Sequence, residues 1–240
     1  MIDLHCHLLP DVDDGATDDQ DSIALLKMAI ADGITHMVLT PHIQPGRYQN
    51  TQQSLQQPFE KLQALVKQLN LPISLGIAGE VRLSAEVLSL YSANSLPFIG
   101  YWQNKQVMLL ELPHDGIPVG SEKLVDWLIQ RDIMPMIVHP ERNKAIMHDI
   151  HKADPFIERG CLFQLTAMSV TGKFGVHAYH SAQQFLDNNW ATVIASDAHN
   201  TKHRPPILSE AYQFISDKYD RQMAQRLMID TPKKIIQAKC

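Results

Sequence analysis

At 240 residues and 45% hydrophobic side chains, the chain is long enough to bury roughly three quarters of the surface its unfolded form exposes, which excludes intrinsic disorder. A formal net charge of −5 argues against a nucleic-acid partner or an anionic membrane surface, and no run approaches the roughly 18 apolar residues of a membrane span. Cys6, Cys161 and Cys240 are too few and too widely spaced for a disulfide scaffold or a four-cysteine zinc ribbon, and the absence of a basic, apolar leader predicts a cytoplasmic protein.

Short apolar runs suited to strands alternate with amphipathic stretches along the whole chain. A strand near 1–6 precedes a helix over 18–32, which Thr17 can cap and Gly33 can stop. Strands near 34–40 and 73–80 flank a helix near 51–70, and a helix near 84–93 leads to a strand at 107–112. A helix near 120–131 and strands near 134–139 and 161–165 follow. The remainder predicts a helix at 173–189, a strand at 192–196, and helices near 205–218 and 220–229. No linker, repeat or low-complexity tract interrupts this order, which predicts one α/β domain over residues 1–240, its parallel sheet closed or nearly closed into a barrel.

Barrel enzymes place their chemistry at the C-terminal ends of the strands. The expected strand ends carry, in order, His5 and His7, His42, Glu80, Glu111, His139, and Asp197 with His199; the sixth carries only Gln164 and Thr166, polar but poor metal ligands. On an extended strand residues i and i+2 share a side, so His5 and His7 can face one ion, and Asp197-x-His199 repeats the spacing. Imidazoles mixed with carboxylates suit Mn, Fe, Zn or Co, whereas a magnesium site would be mostly oxygen. Five histidines and three carboxylates exceed the needs of one ion. With an aspartate from the loop Asp11–Asp14, where spacing alone does not choose among Asp11, Asp13 and Asp14, they would serve two or three. His36, His114, His148, His151, His177, His180 and His203 fall outside this pattern and read as surface or core residues.

Arg142 and Arg204 fall on loops just beyond His139 and His199, where a guanidinium could grip a phosphoryl group over the ions. Together these features predict metal-assisted phosphoester hydrolysis, in which closely spaced ions activate water and stabilise the leaving oxygen. Competing chemistries lack their motifs: neither Cys6 nor Cys161 starts a C-x5-R loop, and no G-x-S-x-G, G-x-G-x-x-G or P-loop pattern occurs.

The segments MIDLHCHLLPDVDDGA, LTPH, GEVRL, LLELP, VHPERN, QLTAMSVTGKFG and ASDAHNTKHRPP resemble the polymerase-and-histidinol-phosphatase (PHP) superfamily. Within it they are similar to the manganese-dependent bacterial protein-tyrosine phosphatases of capsule and exopolysaccharide operons, the CpsB/CapC type, from Met1 to about Ile236; Asp230-Thr231-Pro232 departs from the family's usual Asn before Pro. The resemblance implies a distorted (βα)7 TIM-like barrel and two or three ions, manganese foremost, with Fe, Zn, Co or Mg as alternatives. It implies that His5, His7, Glu80 and Asp197 hold one ion, that Glu80 bridges to a second completed by Glu111 and His139, and that Asp14, His42 and His199 hold the third. Arg142 and Arg204 would contact phosphate, and the implied partner is a tyrosine-phosphorylated bacterial kinase with a tyrosine-rich tail. A histidinol-phosphatase-like activity on a small molecule is the alternative within the same superfamily.

Overall fold

The computed structural model describes residues 1–237, so Cys240 lies outside the described residues. Strand β1 (Ile2–Cys6) leads through helix α1 (Asp19–Ala31) to β2 (His36–Leu39) and β3 (His42–Ile43). Helix α2 (Gln52–Gln68) precedes β4 (Ser74–Ile77) and β5 (Glu80–Arg82), and α3 (Glu86–Ser92) precedes β6 (Gly100–Trp102) and β7 (Lys105–Glu111). Then come α4 (Ser121–Ile129), β8 (Ile133–Val138), α5 (Lys144–His148), α6 (Asp154–Ile157), β9 (Leu162–Thr166), α7 (Ala167–Val170) and α8 (Val176–Asp187). Strand β10 (Val193–Ala195) and helices α9 (Ser209–Lys218), α10 (Arg221–Gln225) and α11 (Thr231–Gln237) complete the described chain. None of these helices is long and apolar enough to cross a membrane.

Parallel pairing runs β1-β2-β4 in one set and β10-β9-β8-β7-β5-β3 in the other. The sets are two stretches of one wall, because the expected strand at 34–40 ends as β2 and resumes beyond Thr40-Pro41 as β3, and that at 73–80 ends as β4 and resumes beyond Ala78-Gly79 as β5. Proline has no N–H to give a ladder, which accounts for the first break. Beyond β1 and β10 the wall closes: Cys6 bridges Ala198, His7 N–H donates to Ala198 O at 2.8 Å, and Asp197 N–H donates to His5 O at 2.8 Å. Seven parallel staves therefore form a distorted barrel.

Two departures from the sequence expectation have plain causes. β6 pairs antiparallel with β7 through Gln103 and Asn104, both with positive φ (49° and 67°), a tight hairpin without the glycine that would have signalled it. The cap of α1 is Asp18, not Thr17: the Asp18 carboxylate accepts from Asp21 N–H at 2.8 Å, while the Thr17 hydroxyl bonds the Asp21 side chain.

Strand alternation builds two apolar layers. On β7, Val107 and Leu109 join Leu4, Val38, Met134, Met136 and Val193 in one cluster, while Met108 and Leu110 join the larger cluster that includes Leu26, Phe59, Leu128 and Phe185 from the helices. Ile235 of α11 belongs to the smaller cluster and packs tightly: a Cβ on Gly100 would lie 2.1 Å from Ile235 O. The strand termini bearing the polar side chains are thus fixed by a well-packed apolar wall beneath them.

Candidate metal centre

All nine side chains expected as metal ligands lie in one cluster. His5 is in β1 and His7 just beyond it, Asp14 is on the following loop, and His42 and Glu80 open β3 and β5. Glu111 ends β7, His139 follows β8, and Asp197 and His199 follow β10. His5 Nε2 and His7 Nε2 are 3.2 Å apart; Glu80 Oε2 lies 3.4 and 3.3 Å from them, and Asp197 Oδ1 3.5 and 3.4 Å. A tetrahedral ion with ligands about 2.1 Å away has ligand–ligand edges of about 3.4 Å, the spacing of His5 Nε2, His7 Nε2 and Glu80 Oε2, with Asp197 Oδ1 flanking both imidazoles.

The cluster extends on both sides of that group. His139 Nε2 is 2.6 Å from Glu80 Oε1, and His42 Nδ1 is 2.9 Å from Glu80 Oε2 and 3.8 Å from Glu111 Oε2. Towards the mouth, Asp14 Oδ1 is 3.4 Å from His42 Nε2 and 3.7 Å from His199 Nε2. His42 therefore faces both outer groups, Glu80 with Glu111 on one side and Asp14 with His199 on the other. Among the described residues, the buried atoms Glu80 Oε2, Glu111 Oε2, His42 Nδ1 and His199 Nε2 have no hydrogen-bond partner. Buried polar atoms are ordinarily satisfied; here they fall in two neighbouring groups of possible metal ligands, His42 with Glu80 and Glu111, and His199 with His7, Asp14 and His42. The donor set fits ions.

Neighbours that are not ligands fix the imidazoles. Asp13 Oδ2 accepts from His7 Nδ1 at 2.7 Å and from His42 N–H at 2.9 Å, and its Oδ1 accepts from Gly15 N–H at 3.0 Å. Gln164 Oε1 accepts from His5 Nδ1 at 2.8 Å, and Asp197 O from His199 Nδ1 at 3.0 Å. In each ring the Nδ1 proton is donated away, which leaves the Nε2 lone pair facing the cluster. Arg82 Nε lies 3.0 Å from Glu111 Oε2, a residue that spacing did not single out. The other seven histidines stay out of the cluster; His151, for one, pairs with Asp154 at 3.0 Å.

The family model described as capsular polysaccharide synthesis, CpsB/CapC, matches residues 1–237. The chain belongs to the CpsB/CapC family. It is 32% identical over 212 residues to CapC of Staphylococcus aureus, covering 88% of this chain and 82% of that protein. The tyrosine-protein phosphatase YwqE of Bacillus subtilis is 30% identical over 227 residues, covering 95% and 88%. Among solved structures, one from work on YwqE of Bacillus subtilis and CpsB of Streptococcus pneumoniae, described as unique metal-dependent tyrosine phosphatases, superposes with a TM-score of 0.92. That match has 28% identity and covers all of this chain and 96% of the other.

In this CpsB/CapC chain the backbone itself is strained at the centre. His139 and Asp197 adopt positive φ (35° and 53°), which non-glycine residues rarely do and which turns their side chains off the strand ends into the cluster. Gly15 is demanded by the loop. A Cβ there would lie 1.9 Å from His7 O and 2.6 Å from His7 Cβ, and Ala16 N–H donates to His7 O at 3.0 Å. Gly15→Ala must therefore displace His7 or the Asp13–Asp14 loop. The expected result is a thermal unfolding midpoint lower by several degrees, on the order of 2 kcal/mol, with weakened metal uptake, read by calorimetry and elemental analysis.

Protons compete for the same donor atoms. For His7, burial opposes the charged form but the Asp13 carboxylate overcomes it and holds the ring well above its usual range. Burial likewise opposes charge on His42, yet Glu80 lifts it to about 9. Burial and the Glu80 carboxylate push Glu111 up to about 7. His139, lowered by burial and by Arg142, sits at about 4, and burial with the charge of His7 lowers His199 to about 3. His7, His42 and Glu111 thus hold protons at pH 6 that a cation must displace. Metal affinity is expected to rise about tenfold or more per pH unit from pH 6 to 9, with proton release visible by calorimetry in buffers of different ionisation enthalpy. An affinity independent of pH over that range would contradict the assignment of these groups.

Arg142 Nη1 and Arg204 Nη2 both donate to Asp197 Oδ2, the oxygen turned away from His5 and His7. Both guanidiniums also lie over the Phe174 ring, Cζ at 4.9 Å for Arg142 and 6.0 Å for Arg204. Arg204 Nε is buried and has no hydrogen-bond partner.

Proposed function

We propose that this chain hydrolyses phosphotyrosine on proteins, acting in the cytoplasm on a tyrosine-phosphorylated bacterial kinase of capsule or exopolysaccharide synthesis. What carries the reading is the juxtaposition of convergent Nε2 and carboxylate donors with two guanidiniums that meet at Asp197 Oδ2. The proposed ligand sets are His5, His7, Glu80 and Asp197; Glu80, Glu111 and His139; and Asp14, His42 and His199. Two or three ions would be held; the mixture of nitrogen and carboxylate donors suits Mn, Fe, Zn or Co, and manganese is the proposed one on the family resemblance. Such ions supply Lewis-acid activation of water and neutralise charge on the phosphoryl oxygens.

The chain's own residues do the rest. Arg142 and Arg204 would turn donors to the phosphoryl oxygens, and the partnerless Arg204 Nε is a donor uncommitted to any acceptor among the described residues. Asp13 and Gln164 keep His7 and His5 in the tautomer that presents Nε2. A tyrosine leaves as phenolate, whose conjugate acid has a pKa of about 10, so it needs less proton assistance than an aliphatic alkoxide. Among the described residues neither cysteine is placed as a nucleophile. Cys6 is buried with its thiol 3.4 Å from Val38 O, and burial with the neighbouring carboxylates raises its pKa well above the usual value. Burial takes Cys161 up to about 12.

The test compares kcat/KM of the metal-loaded protein for a phosphotyrosine peptide, the matching phosphoserine peptide and histidinol phosphate. The phosphotyrosine peptide is expected to lead by about tenfold or more. A tenfold preference for histidinol phosphate would make the chain a small-molecule phosphatase with the same metal chemistry.

A further inference from the structure

Two guanidiniums that share one carboxylate oxygen repel each other, and Asp197 offsets only one of their charges. Glu141 and Glu80 also act on Arg142, and both arginines flank Phe174, whose ring has Arg142 Cζ at 4.9 Å and Arg204 Cζ at 6.0 Å. The negative face of an aromatic ring attracts a cation at such distances, and guanidinium also stacks on it. Arg142 and Arg204 share Asp197 as their only side-chain hydrogen-bond acceptor among the described residues. Among the described residues, Phe174 is thus the aromatic ring that both guanidiniums share.

The local sequence is built to put that ring there. Phe174 sits in the turn between α7 and α8, between Gly172 (φ 82°) and Gly175 (φ 91°), two left-handed positions that reverse the chain sharply. The turn is tied down by Lys173 N–H donating to Met168 O at 2.8 Å and Gly175 N–H donating to Gly172 O at 3.1 Å. The Lys173 side chain pairs with Glu210 of α9, so the neighbouring cation is drawn away from the arginines.

We infer that Phe174 is a positioning residue that holds Arg142 and Arg204 side by side so that their donors are pre-arranged for a phosphoryl group. The inference rests on the phosphatase reading of the site and gives that reading a component outside the ligands and the arginines. Phe174 offers no ligand atom to the cluster, so its effect is expected on anion binding and not on metal content.

The experiment uses the metal-loaded protein and inorganic orthophosphate as the probe. Phe174→Leu keeps an apolar side chain but removes the aromatic face, whereas Phe174→Tyr keeps the face. The leucine variant is expected to bind orthophosphate about tenfold more weakly by calorimetry, with kcat/KM for the phosphotyrosine peptide reduced by a similar factor. Metal content should match wild type, and the tyrosine variant should bind within about twofold of it. Orthophosphate affinity unchanged in Phe174→Leu, or lost equally in Phe174→Tyr, would overturn the inference; so would a leucine variant that loses peptide turnover while binding phosphate normally, because the ring would then serve the leaving phenol. Should Phe174→Leu fail to fold, Phe174→Met against Phe174→Tyr makes the same comparison, and equal phosphate affinities overturn it. A wild-type protein that binds no orthophosphate and releases none from the peptide refutes the phosphatase reading itself, an outcome separate from the variant comparison.

Discussion

Glu80→Gln is expected to lose at least about 10³-fold in turnover together with most of its tightly held metal, the largest effect of any single substitution in this chain. Glu80 is 1% exposed, and its two oxygens reach four imidazoles: Oε2 lies 3.4, 3.3 and 2.9 Å from His5, His7 and His42, and Oε1 lies 2.6 Å from His139. No other carboxylate in the cluster faces as many. Glutamine keeps the volume but presents one acceptor and one donor, so one oxygen's place is taken by N–H groups pointing at imidazole lone pairs or cations. The negative charge that opposes repulsion between adjacent ions disappears as well. Elemental analysis after gel filtration and initial rates on a phosphotyrosine peptide read the two effects. A variant that keeps full metal content and wild-type rate would remove Glu80 from the centre of the proposed site.

The parts of this architecture that were legible beforehand are those governed by periodicity. Two-residue spacing put His5 with His7, and the strand–helix alternation put the strand ends on one rim; Asp197 and His199 reach the cluster beyond the end of β10, with Asp197 at a positive φ of 53° and not by strand alternation. Loop conformation is not periodic, so spacing could not divide Asp13 from Asp14. In the fold, the Asp13 carboxylate turns inward to His7 Nδ1 and His42 N–H, while Asp14 turns to the mouth, 43% exposed, facing His42 and His199. Gln164 reads from sequence as a poor ligand, and its contact with His5 spans 159 residues that only barrel closure brings together. Phe174 gave no sign of its place beneath the arginines, because a lone aromatic between glycines reads equally well as a surface turn. The hairpin strand β6 carries no turn signal in the sequence, because Gln103 and Asn104 take positive φ without a glycine.

Arg142→Ala and Arg204→Ala should separate rate from metal where Glu80→Gln does not. Each single variant is expected to lose about 10²-fold in kcat/KM while retaining its ions, since a guanidinium that clamps a transferring phosphoryl group acts mainly in the transition state. Retention follows from the arrangement around Asp197, which is 1% exposed: both arginines donate to Oδ2, so removing one leaves that oxygen partnered by the other. Burial would raise the Asp197 pKa, but Arg204, His5 and Arg142 together hold it well below the usual carboxylate range. The double variant strips Oδ2 of both donors and leaves a buried carboxylate oxygen without a partner, which costs on the order of 1–3 kcal/mol. Its metal content is therefore expected to fall as well, and its loss in rate to exceed the product of the single losses, a coupling expected between groups that share one partner. Arg142→Lys should recover only part of the rate, because an ammonium keeps the charge but cannot offer the planar pair of donors. Metal content by elemental analysis, with kcat and KM measured separately on the phosphotyrosine peptide, distinguishes these cases. Single variants that turned over like wild type would remove the arginines from the reaction and leave them only as braces for Asp197.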